Sequence, residues 1–138
     1  DGKIIVADMS GYLYCNESEP GKSIWQIKAV STDKVGFIAD PILLQNGNLL
    51  AVAEDGNLMV YDTDGKSVNS RLINGKTMSS PVVIGESFVA GLIPGDALLR
   101  SYTSDLKEDW WYIETVESTA LTPTAEVSQE TVTETPAK

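Results

Sequence analysis

Four carboxylates, Glu54, Asp55, Asp62 and Asp64, fall within eleven consecutive residues of this chain. Acids so close together could divide general-acid and general-base roles between them. Asp62-Thr63-Asp64-Gly65 also resembles the opening of a calcium loop. Such a loop needs further oxygen ligands and a distal bidentate glutamate at fixed spacing, and neither follows here. The local sequence gives these acids a plainer role. Asn46-Gly47, Asp55-Gly56 and Asp64-Gly65 punctuate two short apolar runs, Leu49–Ala53 and Leu58–Tyr61. Asn-Gly and Asp-Gly fit tight hairpin turns, whose central positions need φ > 0. The carboxylates are therefore expected as solvated turn residues, with no catalytic residue and no metal ligand among them.

The remaining reactive side chains are few. The sequence contains no histidine, which removes the commonest general base and the usual zinc ligand, and with them every Ser-His-Asp or Cys-His arrangement. Cys15 is the single cysteine. It falls on a predicted strand with nothing in the adjacent sequence to depress its pKa, and so reads as a small buried hydrophobe. Three tryptophans, Trp25, Trp110 and Trp111, could line a ligand groove or pack between elements. Asn16-Glu17-Ser18 matches a glycosylation acceptor, a weak pattern that matters only in a secretory context.

Composition bounds the partners. The chain has 138 residues, a net charge of −10 and a pI near 4.3. Nucleic-acid binding needs a basic surface to displace condensed counterions, so this acidity argues against it, and equally against docking on anionic lipid. It fits solubility or a basic partner. No apolar run approaches the roughly 18 residues of a membrane-spanning helix.

The elements that position these residues come from a repeat. Set Gly2–Glu17 under Gly47–Asp62, an offset of 45 residues. Gly2 then falls on Gly47, Gly11 on Gly56, Leu13 on Leu58, Cys15 on Val60 and Glu17 on Asp62. Each copy continues into a turn, with Gly21 in the first and Gly65 in the second, and then into a further strand, Ser23–Lys28 or Ser67–Ile73. An apolar strand follows Pro41 and again Pro81, since proline is tolerated where a strand begins. A third, more degenerate copy reads as strands at Glu86–Ile93, Ala97–Tyr102 and Asp109–Glu114, with a turn at Pro94-Gly95-Asp96. Cys15 to Trp25 is ten residues, as is Ser101 to Trp111. By that count Trp25 and Trp111 are packing residues, and Trp110, pointing the other way along its strand, is the surface candidate.

A unit of about 40–45 residues and four short strands is the signature of a β-propeller blade. The predicted fold class is all-β: blades of four antiparallel strands in an incomplete propeller of two and a half to three blades, partial over 1–28 and full over 37–73 and 79–114. A Thr/Glu/Pro-rich tail over 115–138 is too poor in large apolar groups to offset its ordering entropy and is predicted to be disordered. A blade is apolar on both faces and needs neighbours. The chain is therefore expected to be the C-terminal part of a longer propeller, or to pair with other chains, and self-association is open to it.

The repeat resembles the quinoprotein-type (PQQ-like) propeller repeat, which runs Gly-x-Leu-Tyr-Ala-x-Asp, then a turn glycine, then a tryptophan. Here Gly11-Tyr-Leu-Tyr-Cys15-Asn-Glu17 leads to Gly21 and Trp25, with cysteine at the alanine position and glutamate at the aspartate. The resemblance implies that Gly11, Gly21, Trp25, Gly47, Gly56, Gly65 and Trp111 are structural anchors, the tryptophans docking on neighbouring blades. Asn69 stands at the tryptophan position of the second copy, and Lys107 at the turn glycine of the third. The family includes dehydrogenases that hold PQQ and calcium, use adjacent cysteines and a catalytic aspartate, and would carry that site in blades outside this sequence. It also includes non-catalytic, BamB-like scaffolds. With one cysteine and no ligand cluster, the chain is read as nearer the scaffolds: not itself an enzyme, without cofactor, exported, and binding a protein partner or further blades. A carbohydrate- or surface-binding module built on Trp110 is the remaining alternative.

Overall fold

The computed structural model describes residues 2–19, 21–93 and 97–113. Every regular element among them is a strand. The first sheet holds β1 (Lys3–Ala7), β2 (Tyr12–Glu17) and β3 (Ser23–Lys28). The second holds β4 (Ile42–Leu43), β5 (Leu49–Val52), β6 (Asn57–Tyr61) and β7 (Ser67–Leu72), and the third β8 (Val82–Ile84), β9 (Ser87–Gly91), β10 (Leu99–Thr103) and β11 (Glu108–Tyr112). Strand order follows chain order in each sheet, and all pairings are antiparallel. This is the up-and-down blade read from the sequence. The expected turn at 94–96 and the tail over 115–138 lie outside the described residues.

The sheets stack face to face, and both faces of the middle one are buried. Alternation along β5 and β6 sends residues to opposite sides. Leu49, Ala51, Met59 and Tyr61 join Leu13, Trp25 and Ile27 of the first sheet in one cluster. Leu50, Val52, Leu58 and Val60 join Phe88, Ala90 and Tyr102 of the third in another. Every residue of β5 is consequently buried, which explains why Leu49–Val52 reads as a continuous apolar run and not as an alternating one. The inter-sheet linkers add backbone bonds. Phe37 N–H donates to the Asp8 carbonyl at 3.0 Å, and Lys76 and Ile93 exchange a pair of bonds at 2.9 and 2.8 Å.

Each sheet carries a bulge at the same place, between Cys15 and Asn16, Val60 and Tyr61, and Ser101 and Tyr102. The bulges align the three copies independently of residue identity. They equate Cys15, Val60 and Ser101, and through the ladder they equate Trp25, Asn69 and Trp110. Counting ten residues from Ser101 had selected Trp111. The ladder instead pairs Ser101 with Trp110 and Arg100 with Trp111, because the β10–β11 connection is one residue shorter than β2–β3. The turn position is corrected in the same way. Thr103 and Lys107 close the last hairpin as Asp62 and Lys66 close the one before, so Leu106, not Lys107, stands where the second copy has Gly65. Leu106 has φ 62°, the one left-handed non-glycine among the described residues.

Candidate functional site

Directly opposed residues of an antiparallel ladder share a face. Three equivalent rows follow: Ile5–Cys15–Trp25, Ile42–Leu50–Val60–Asn69, and Val82–Val89–Ser101–Trp110. The first row packs on the second sheet and the second row on the third. At the outer end of each of these two rows a side chain reaches the last hairpin turn of the next sheet.

In the first interface that side chain is Trp25. Its indole Nε1–H donates to the Thr63 carbonyl at 3.1 Å. A Cβ built on Gly65 would stand 2.9 Å from the ring, and Gly65 has φ 81°. Glycine is required there twice over, for the left-handed turn and for the space the indole occupies. In the second interface Asn69 Nδ2–H donates to the Asp105 carbonyl at 2.9 Å. Beside it Arg71 donates to the Leu106 carbonyl at 3.0 Å, lies 5.2 Å over the Tyr102 ring and sits 3.8 Å from Glu108. Glu108 also pairs with Arg100. The sizes are exchanged between the two interfaces: a large side chain on glycine in the first, a small one beside Leu106 in the second. Leu106 is buried in the core cluster, which holds it in its unfavourable conformation.

The third row meets no further sheet among the described residues. Trp110 is 44% exposed and Val82 61%. Trp111, on the opposite face of β11, is 55% exposed, so it is not the buried anchor that counting selects. The open face of the first sheet lies at the other end of the stack and shows Ile4 and Val6. Its turn glycine, Gly21 (φ 79°), has no atom within 4 Å of a Cβ built on it. The other glycines named from the sequence, Gly11, Gly47 and Gly56, all have positive φ and sit in hairpin turns. Of the predicted anchors, the structure brings together Trp25 and Gly65 only.

The titratable groups that stand out among the described residues are buried or spent on turns. Cys15 is fully buried, and burial pushes its thiol above the ordinary value. The Asp8 carboxylate accepts from Tyr12 N–H at 2.9 Å, from the Tyr14 hydroxyl at 2.8 Å and from Ser10 N–H at 2.9 Å. The Tyr12 bond is the main reason its pKa lies below the usual carboxylate range. These bonds organise the β1–β2 turn. Asp62 Oδ1 does the same for Asp64 and Lys66 N–H groups, in keeping with its reading as a turn acid. Among the described residues no three His, Cys, Asp or Glu side chains converge to hold a metal ion. A PQQ–calcium site of the kind the resemblance implies does not fit the described residues. A cleft of about 610 Å³ between the second and third sheets is lined by the turn residues Asn46, Glu86 and Asp105 and by Asp109 of β11; it is open and polar.

Arg71 was not singled out from the sequence, and the row assignment of Trp110 was missed. The bulge that decides the row of Trp110 carries no residue signature. No helix among the described residues is long and apolar enough to cross a membrane.

No protein-family model matches the chain, and no curated protein sequence matches it. Solved structures do. BamB from Moraxella catarrhalis superposes with a TM-score of 0.63 at 21% identity, over 80% of this chain and 34% of that one. The quinohemoprotein alcohol dehydrogenase ADHIIG from Pseudomonas putida HK5 gives 0.68 at 15% identity, over 83% and 25%. Sqt1 from Saccharomyces cerevisiae gives 0.71 at 10% identity, over 82% and 31%. The chain thus spans a quarter to a third of the length of these proteins, and its fold is that of β-propeller blades.

Proposed function

We propose that this chain is a non-catalytic propeller scaffold that presents blade faces and turns to a protein partner, as part of an exported protein. The observation that carries the reading is the placement of its exposed aromatic and aliphatic side chains. Trp110, Tyr112 and Val82 are exposed on the third sheet, and Ile4 and Val6 on the first, whereas Asp8 and Asp62 are spent on turns. Exposed apolar patches of this kind mark interaction sites. The net charge of −10 favours a basic partner over an acidic one. Likeness to BamB supports the scaffold and export readings; likeness to a quinohemoprotein alcohol dehydrogenase supports the alternative, a section of such an enzyme whose site lies in other blades.

Calorimetric titration with PQQ and calcium separates the two. The scaffold reading predicts no saturable heat from this chain, and none from a longer protein containing it. Saturable binding with dye reduction by that longer protein would overturn the reading.

A further inference from the structure

We propose that Trp110 of one chain docks on the Gly21 turn of a second copy, joining chains head to tail through the contact that already joins the first and second sheets. The proposal rests on the scaffold reading and names its partner. Both halves of the contact are present and, among the described residues, unused. Trp110 occupies the ladder position of Trp25, on the face that in the two preceding sheets packs on the next one. Gly21 occupies the turn position of Gly65. Glu17 N–H donates to the Lys22 carbonyl at 2.8 Å and Asp62 N–H to the Lys66 carbonyl at 3.0 Å, so both hairpins are closed by the same bond. Each glycine is left-handed, at 79° and 81°. The difference is occupancy: the space over Gly65 is filled by an indole, and among the described residues nothing fills the space over Gly21.

The surrounding surfaces match in kind. Tyr112 lies on the same strand and face as Trp110, and Val82 on that face at the far edge of the sheet; on the receiving sheet lie Ile4 and Val6, all substantially exposed. Ile4 pairs with Asn16 and Val6 with Tyr14, which makes them the counterparts of Leu49 and Ala51 (paired with Tyr61 and Met59), buried in the existing interface. The two surfaces are different patches of one chain, so the association is heterologous. It forms rings if the rotation closes and open chains if it does not. Trp111 lies on the other face and takes no part.

The test is light scattering on the full chain across a concentration series. A mass that rises to two or more copies is expected. Trp110→Ala should hold the mass at one copy, and so should Gly21→Asn, since asparagine tolerates the left-handed turn while filling the space above it. Trp111→Ala should assemble like the parent. Each blocked variant keeps one intact half, so an equimolar mixture of the two should give a one-to-one complex of double mass and nothing larger. A parent chain that stays monomeric at every concentration overturns the proposal, as does assembly unaffected by Trp110→Ala, or a mixture that fails to associate. Trp110 already shielded in the monomer would assign the face to the chain's own residues 114–138, with the same consequence. None of these outcomes bears on PQQ binding, so the scaffold reading stands or falls separately.

Discussion

The indole of Trp25 lies against Gly65 so closely that a Cβ on the glycine would stand 2.9 Å from the ring, while the indole N–H is bonded to the Thr63 carbonyl two residues before it. One side chain on the outermost strand of a sheet thus fills a turn on the next sheet and satisfies its own polar atom there, as a packed tryptophan generally must.

Trp25→Ala is expected to destabilise the chain by about 2–3 kcal/mol, less than a fully buried tryptophan would cost because Trp25 is only partly buried. Gly65→Val meets both the ring and the left-handed backbone and is expected to cost more than the roughly 1–2 kcal/mol of the conformation alone. The two effects should not add, since either change already breaks the contact. Chemical denaturation of the single and double variants measures this.

Leu106 poses two opposing terms. Its φ of 62° costs roughly 1–2 kcal/mol, whereas losing its buried side chain costs about 2–5 kcal/mol. Burial wins, so Leu106→Gly is expected to destabilise in spite of relieving the backbone. Leu106→Ala, which keeps the strain and still empties the core, should be the less stable of the two. The opposite order would mean that the backbone of this turn relaxes when the side chain is cut back.

Arg71 replaces an aromatic anchor by a set of smaller contacts: a carbonyl, a ring face and a carboxylate. Arg71→Ala is expected to cost about 1–2 kcal/mol, given an ion-to-carbonyl bond and a partly exposed cation–π contact. Arg71→Lys should recover only part of it, because an ammonium cannot stack and fork at once. Thermal unfolding of the pair checks the order.

The repeat was legible because glycine turns and apolar strands recur at a fixed offset from Gly2 to Gly47 and from Gly11 to Gly56, and neither depends on tertiary detail. Strand order, the antiparallel blades and the burial of Cys15 follow from that pattern. Trp111 was misassigned because residue counting assumes equal turns, and the bulge at Ser101/Tyr102 with a shorter connection moves the ladder by one position. A one-residue slip puts every side chain on the other face. Arg71 was invisible for another reason. Its value lies in the Leu106 carbonyl and the Tyr102 ring, 35 and 31 residues further on, and no local spacing announces such a partner.

Asp8 gives the fold a pH dependence of known sign. Its carboxyl is held below the ordinary value, chiefly by Tyr12 N–H, so the unfolded chain binds the proton more readily than the folded one. The contribution is present above the usual carboxylate pKa and is lost as pH falls through the lowered one. Asp8→Asn should flatten that part of the acid limb in pH-dependent denaturation, with little change in slope near neutrality.

Cys15 is expected to resist alkylation in the folded chain. Burial both shields the sulfur and raises its pKa, and the thiolate is the reactive form. Iodoacetamide labelling should track denaturant unfolding; rapid labelling under native conditions would place the sulfur at the surface.

The most direct test of blade docking is hydrogen exchange at the three indole N–H groups, followed by NMR at several protein concentrations. The account predicts that the Trp25 proton is protected at every concentration, that Trp110 becomes protected only as chains associate, and that Trp111 exchanges freely throughout. Three indoles exchanging alike at all concentrations, or protection of Trp111 with Trp25 open, would contradict it.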